Sequence, residues 1–192
     1  RKQMKVKNWE MIEESVPGGA QLAPGGYIVR IVGVNDTYTE GNENKCYLDI
    51  VYDIAEGEEA GRYADDWGKT HPYAHQCRQW YEGKHEGRFK FFLNCLEVSN
   101  KGRFSAADWA KTCDESKLVG LEFGIVLQKK LDTNTKGEDT EFLEDRGVYA
   151  SQDIRSGDFK LPEPRNVREG IPAAAPMAAP VVDTVYDEDI PF

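Results

Sequence analysis

Leu121, Phe123, Ile125 and Leu127 occupy alternate positions, with Glu122, Gly124 and Val126 between them. A period of two fits a β-strand with one buried face, because a helix would scatter these residues around its axis. The strand is predicted within residues 118–130. The same signature recurs upstream. Residues 26–39 read GYIVRIVGVNDTYT, a β-branched run entered from the turn Pro24-Gly25-Gly26. Residues 45–54 read KCYLDIVYDI. Between them lie Glu40, Gly41, Asn42, Glu43 and Asn44, a turn cluster that predicts a hairpin. A short third strand is expected at residues 62–67. Residues 140–154 should return across the polar loop 132–139 as a second hairpin, bulged at Gly147.

One segment has the other periodicity. Phe89, Phe92, Leu93 and Leu96 fall at i, i+3, i+4 and i+7, so residues 87–100 are predicted as a helix. The fold class is therefore mainly β. The order strand, strand, short strand, helix, strand, strand matches an OB-fold, a five-stranded barrel with a helix between strands 3 and 4.

The end of the chain obeys different rules. Pro172, Pro176 and Pro180 forbid a continuous helix in IPAAAPMAAPVV, and the small residues between them offer little to pack. Residues 166–186 are predicted to be a disordered linker, leaving residues 1–165 as the folded domain and 187–192 as a separate acidic tip. A length of 192 residues suits that division.

Several classes are disfavoured. Apolar runs are a few residues long, against the roughly 20 needed for a membrane helix, so no membrane partner is expected. Arg1, Lys2, Lys5 and Lys7 are not followed by an apolar signal region. Cys46, Cys77, Cys95 and Cys113 are scattered with no CxxC. Reduced thiols and a cytoplasmic location are the expectation. The chain has no GxxxxGK[ST], GxSxG or HExxH pattern, so neither enzymatic activity nor a cofactor is expected. His71, His75, Cys77 and His85 have zinc-compatible chemistry but lack paired short spacing, and are read as polar loop residues without metal.

Net charge is −10, which at face value opposes binding to phosphates. The charge is uneven, however. Residues 31–59 carry −7, whereas residues 60–112 carry +3 and three of the four tryptophans, Trp67, Trp80 and Trp109. Single strands are held by cations along the backbone and by rings under the bases. Residues 62–109 interleave both, with Arg62, Tyr63, Trp67, Lys69, Tyr73, Arg78, Trp80, Tyr81, Lys84, Arg88, Arg103 and Phe104 as candidate DNA contacts. The competing assignment for each ring is the core. Trp80 and Tyr81 lead, since neighbours on a strand point to opposite faces. Lys129, Lys130 and Lys136, on the second hairpin, are candidates with a solvated loop as the alternative.

The residues Asp187, Glu188, Asp189, Ile190, Pro191 and Phe192 resemble the acidic C-terminal tip of bacterial single-stranded DNA-binding proteins. The body is similar to a phage-encoded family of single-stranded DNA-binding proteins, through residues 87–90, 96–100, 121–127 and 154–162. That resemblance implies an OB-fold acting on replication, recombination or repair intermediates, and it supplies no individual DNA-contacting positions. A terminal Phe offers a ring and a carboxylate together, which suits an apolar pocket with a basic lip on a partner protein. The expected function is to coat and protect single-stranded DNA and to recruit replication, recombination and repair proteins through the tip. The bacterial proteins with such a tip are oligomeric, so a homo-oligomer is compatible with this reading. The rivals are an interaction protein that fills host docking pockets without touching DNA, and a metal-dependent DNA-processing enzyme.

Overall fold

The computed structural model describes residues 22–133 and 137–167. The strands are β1 (Gly25–Thr37), β2 (Tyr47–Ile54), β3 (Gln76–Trp80), β4 (Glu122–Thr133), β5 (Asp139–Tyr149) and the two-residue β6 (Arg165–Asn166). The helices are α1 (Asp66–Thr70), α2 (Glu86–Ser99), α3 (Ala106–Thr112) and α4 (Ser151–Ser156). The protein is mainly β, an antiparallel sheet ordered β3-β2-β1-β4-β5, with β6 parallel to β4.

β1 holds the sheet together. One edge pairs with β2, from Val29 opposite Ile54 to Thr37 opposite Tyr47. The other pairs with β4, from Gly25 opposite Leu127 to Arg30 opposite Glu122. Among the described residues no ladder joins β3 to β5, so the sheet is open and the predicted closure into a barrel is not made. Tyr73 and Gln76 on one side and Phe142 and Leu143 on the other line the gap between these two edges.

Alternation predicted β1, β2 and β4 to within a few residues. The third strand is corrected. Residues 62–67 run through turns into α1, and β3 lies at Gln76–Trp80. That segment buries only Cys77, so it carries no alternation signal. The second hairpin also ends earlier than expected, at Tyr149, and residues 151–156 are helical instead. The bulge falls next to Gly147: Val126 faces Gly147 and Leu127 faces Asp145, leaving Arg146 as the extra residue.

The inner face of the sheet packs on α2. Val29, Ile31, Leu48, Ile50, Phe123, Ile125 and Leu127 meet Phe89, Phe92, Leu93 and Leu96, the predicted helical stripe. The Phe92 and Phe123 rings meet edge to face at 5.5 Å. α2 is fastened where it ends. Asn100, buried, donates through Nδ2 to the Leu96 and Glu122 carbonyls, and its Oδ1 accepts from the Glu122 N–H. Ser99 Oγ accepts from the Ser151 N–H, tying the helix to α4.

The outer face is divided. Over β1 and β4 it is covered by α4 and the chain after it. Gly124 and Gly26 make room for that strap. A Cβ on Gly124 would stand 2.4 Å from Ile154 Cγ1, and one on Gly26 would stand 2.8 Å from the Phe159 ring. Gln128, also buried, donates from Nε2 to the Pro162 carbonyl at 2.6 Å. Over the Tyr47–Trp80 and Asp49–Arg78 pairs of β2 and β3 the same face is open among the described residues, with Arg78 exposed, whereas Val51 farther along it is buried. No described helix is long and apolar enough to cross a membrane.

Candidate nucleic-acid interface

Register decides which side chains share the uncovered face. Tyr47 stands opposite Trp80, Asp49 opposite Arg78 and Val51 opposite Gln76, one residue from each pair on β2 and one on β3. Leu48, Ile50 and Cys77, in the opposite phase, point into the core. The outward row is therefore two aromatic rings flanking an arginine. The Arg78 guanidinium lies 3.8 Å from the centre of the Tyr47 ring and 5.8 Å from that of Trp80. The two rings meet edge to face at 6.1 Å. Trp80 is half-buried, with Nε1 making a long 3.4 Å hydrogen bond to the Asn44 carbonyl. The His85 ring lies 5.7 Å from it, tilted by 30°.

Asp49 fixes the guanidinium through two hydrogen bonds, 2.7 Å from Nε and 3.1 Å from Nη2. These bonds push the Arg78 pKa above its ordinary value, so its charge is permanent. Asp49 also cancels that charge at long range, and this pattern is general. Arg62 pairs with Glu59, Lys69 with Asp66, Lys84 with Glu43, Lys129 with Glu141 and Lys130 with Asp132. Of the cations nominated from the sequence, Arg88 and Arg103 have no carboxylate partner among the described residues. Exposed pairs of this kind contribute ~0–1 kcal/mol, so a phosphate can displace the carboxylate at small cost. The face is nonetheless far less cationic than the sequence suggested.

The remaining candidates are scattered. Tyr81 turns inward as alternation requires, its ring 5.7 Å from Phe89 and its hydroxyl donating to Asp36 at 2.8 Å. Burial, reinforced by Asp36, pushes that phenol above its ordinary pKa. Trp109 is a core residue and donates from Nε1 to the Asp114 carbonyl. Arg103 and Phe104 line a separate hollow of about 540 Å³ with Lys117. Tyr73 projects at the far end of β3 and is 72% exposed. The Trp67 side chain, Lys136 and the whole tip from Asp187 to Phe192 lie outside the described residues.

The four residues with zinc-compatible chemistry are not brought together, and no group of three metal-ligating side chains occurs among the described residues. His75 is buried with Nδ1 against the Tyr52 carbonyl and Nε2 3.0 Å from the Gly68 carbonyl, while its ring stacks on Tyr63 at 4.3 Å. Cys77 points into the core, where burial raises its thiol well above the ordinary value.

Sequence reading missed Tyr47 and Asp49. Their outward phase was visible, since Leu48, Ile50 and Tyr52 form the apolar alternation of the opposite phase. Their juxtaposition with Arg78 and Trp80 was not, because it depends on the β2–β3 register. No protein-family model matches the chain, and no curated protein matches it.

Proposed function

We propose that this protein binds single-stranded DNA in the cytoplasm on the outer face of β2 and β3, and recruits DNA-processing proteins through its C-terminal tip, without itself being an enzyme. The observation that carries the reading is the Tyr47–Arg78–Trp80 row, which α4 and the chain after it leave uncovered among the described residues. A base stacks on Trp80, and the Arg78 guanidinium offers a second flat surface and N–H donors to a phosphate. The OB-fold is part of the same proposal. That fold is a partly open five-stranded barrel. An open sheet ordered β3-β2-β1-β4-β5, with α2 between β3 and β4, supports it.

The paired cations give this reading a quantitative form. Log affinity for single strands falls by about 0.7 per phosphate neutralised for each tenfold rise in salt. Arg78, shared with Asp49, and Lys84, shared with Glu43 beside Trp80, correspond to one or two phosphates, hence a slope of about −1. Tryptophan fluorescence of the full chain, titrated with oligo-dT across a salt series, should show quenching with that shallow slope. Absence of both quenching and a mobility shift at low salt overturns the proposal.

The tip is tested separately. Removing Phe192 alone deletes the terminal ring and moves the carboxylate onto Pro191, so capture by a pocket that needs both should fall at least tenfold. Pull-down of purified replication-restart and recombination proteins by the full and shortened chains makes the comparison. Equal recovery rejects the docking role.

A further inference from the structure

The hollow of about 540 Å³ beside α3 shares no residue with the Tyr47–Arg78–Trp80 row. Phe104, half-buried, and Trp109, buried, give it apolar walls, and Arg103 and Lys117 stand at it as cations. Arg103 is exposed and has no carboxylate partner among the described residues. Lys117 meets Asp114 only at 4.0 Å, beyond hydrogen-bond reach. The single carboxylate in the lining, Asp108, is held by Lys111 at 2.6 Å. Two rings combined with two weakly engaged cations suit a ligand that is apolar and anionic at once.

Apolar surface continues past the rim. Val119, two residues beyond Lys117, is 48% exposed. Backbone hydrogen bonds from Gly120 to Ile31 and from Ile31 to Leu121 bring it beside Val32, itself 51% exposed. The hollow and the root of the tail sit at opposite ends of β4. Arg103 follows Asn100, which is bonded to Glu122 at the start of that strand. Val167, the last described residue, donates its N–H to the Leu131 carbonyl. Glu122 and Leu131 are nine residues apart, about 30 Å along a strand. Twenty residues lead from Val167 to Asp187 and span at most about 70 Å. A domain of this size is about 40 Å across. In a row of copies set end to end, the next copy's hollow is therefore within reach.

We propose that this hollow receives the C-terminal tip of a neighbouring copy, with the Phe192 ring against Phe104 and Trp109 and its α-carboxylate on Arg103 and Lys117. This rests on the tip being a docking element, as above, and adds the protein itself to its partners. The chemistry selects the tip because Phe192 carries a ring and a carboxylate on one residue, which matches apolar walls with cations beside them. Ile190 has the exposed Val32 and Val119 to rest on. Asp187, Glu188 and Asp189 supply the negative charge that draws the tip to a cationic rim. Because hollow and tail root lie at opposite ends of β4, the contact is head to tail. It does not close on itself as a two-fold dimer does, so it lengthens into a row of copies. The Tyr47–Arg78–Trp80 row takes no part in it and stays open to a single strand.

The test titrates a labelled peptide of residues 184–192 into the chain lacking Phe192, whose hollow is intact and whose own tip is disabled. The peptide should bind, and the same peptide ending at Pro191 should bind at least tenfold more weakly. Arg103→Glu should weaken the full peptide about tenfold or more at an unchanged unfolding midpoint, and Arg103→Lys should recover most of that loss. In sedimentation equilibrium the mass of the full chain should rise with concentration, and removal of Phe192 should return it to the monomer. No peptide binding, or undiminished binding by Arg103→Glu, overturns the hollow. Peptide binding beside a full chain that stays monomeric means that the tip returns to its own body, and overturns the link between copies. Oligo-dT affinity should be the same in Arg103→Glu; a fall assigns the hollow to DNA instead. Recovery of DNA-processing proteins by the tip with no peptide binding here rejects the hollow and leaves recruitment standing, whereas failure of both removes the tip as a docking element.

Discussion

Phe92→Ala should lower the unfolding free energy by about 3–5 kcal/mol, the cost of removing a large ring from a packed core and leaving a cavity. Phe92 is 1% exposed, lies between Phe89 and Phe123, and is the contact through which α2 grips the inner face of β4. Domains of this size have roughly 5–15 kcal/mol in total, so the variant loses a large share of it. Urea denaturation followed by circular dichroism should show a lower midpoint with an unchanged slope. A loss below about 1 kcal/mol would mean that the cavity collapses and that α2 is held by something else. Phe91 is the control. It neighbours Phe92 in sequence but is exposed, and Phe91→Ala should change stability by no more than about 0.5 kcal/mol.

Trp80→Ala should weaken binding of oligo-dT by about 5- to 150-fold, since stacking on one aromatic ring contributes ~1–3 kcal/mol per base. Its fold should survive, because Trp80 is half-buried on the outer face and takes no part in the core. Trp80→Phe keeps a stacking surface and should recover most of the affinity. Tyr81→Phe separates the two adjacent rings. Tyr81 turns inward and spends its hydroxyl on Asp36, so this change should leave DNA affinity unaltered. Fluorescence anisotropy of a labelled oligomer measures all three variants. Wild-type affinity in Trp80→Ala would remove Trp80 from the interface.

The parts of the fold that sequence revealed are those in which burial repeats. Leu121 to Leu127 in β4 and Phe89 to Leu96 in α2 carry clear periods because one whole face of each is buried. β3 was missed because QCRQW buries one residue in five and is held by backbone pairing with β2. Tyr63, within the expected third strand and among the candidate DNA contacts, is a loop residue stacked on buried His75. α4 was read as strand because six residues cover less than two turns, too short for a helical period to emerge.

The site divides in the same manner. Opposite facings for Trp80 and Tyr81 followed from strand geometry alone. The pairing of nominated cations with Glu59, Asp66, Glu43, Glu141 and Asp132 did not. Lys84 and Glu43 are 41 positions apart, and such partners are created by the fold.

The double role of β1 also governs how the chain is made. β2 follows β1 directly, but the partner for the other edge arrives late, since Arg30 and its sheet neighbour Glu122 are 92 residues apart. A ribosome adds about 5–20 residues per second, so that edge waits about 5–20 s for β4. For the last part of that wait, the 42 residues from Trp80 to Glu122 or about 2–8 s, β1, β2 and β3 can already pair and leave an uncovered hydrogen-bonding edge, the kind of surface on which chains pair with one another. The time spent translating the residues between β3 and β4 therefore sets how long that edge stays open to a neighbouring chain.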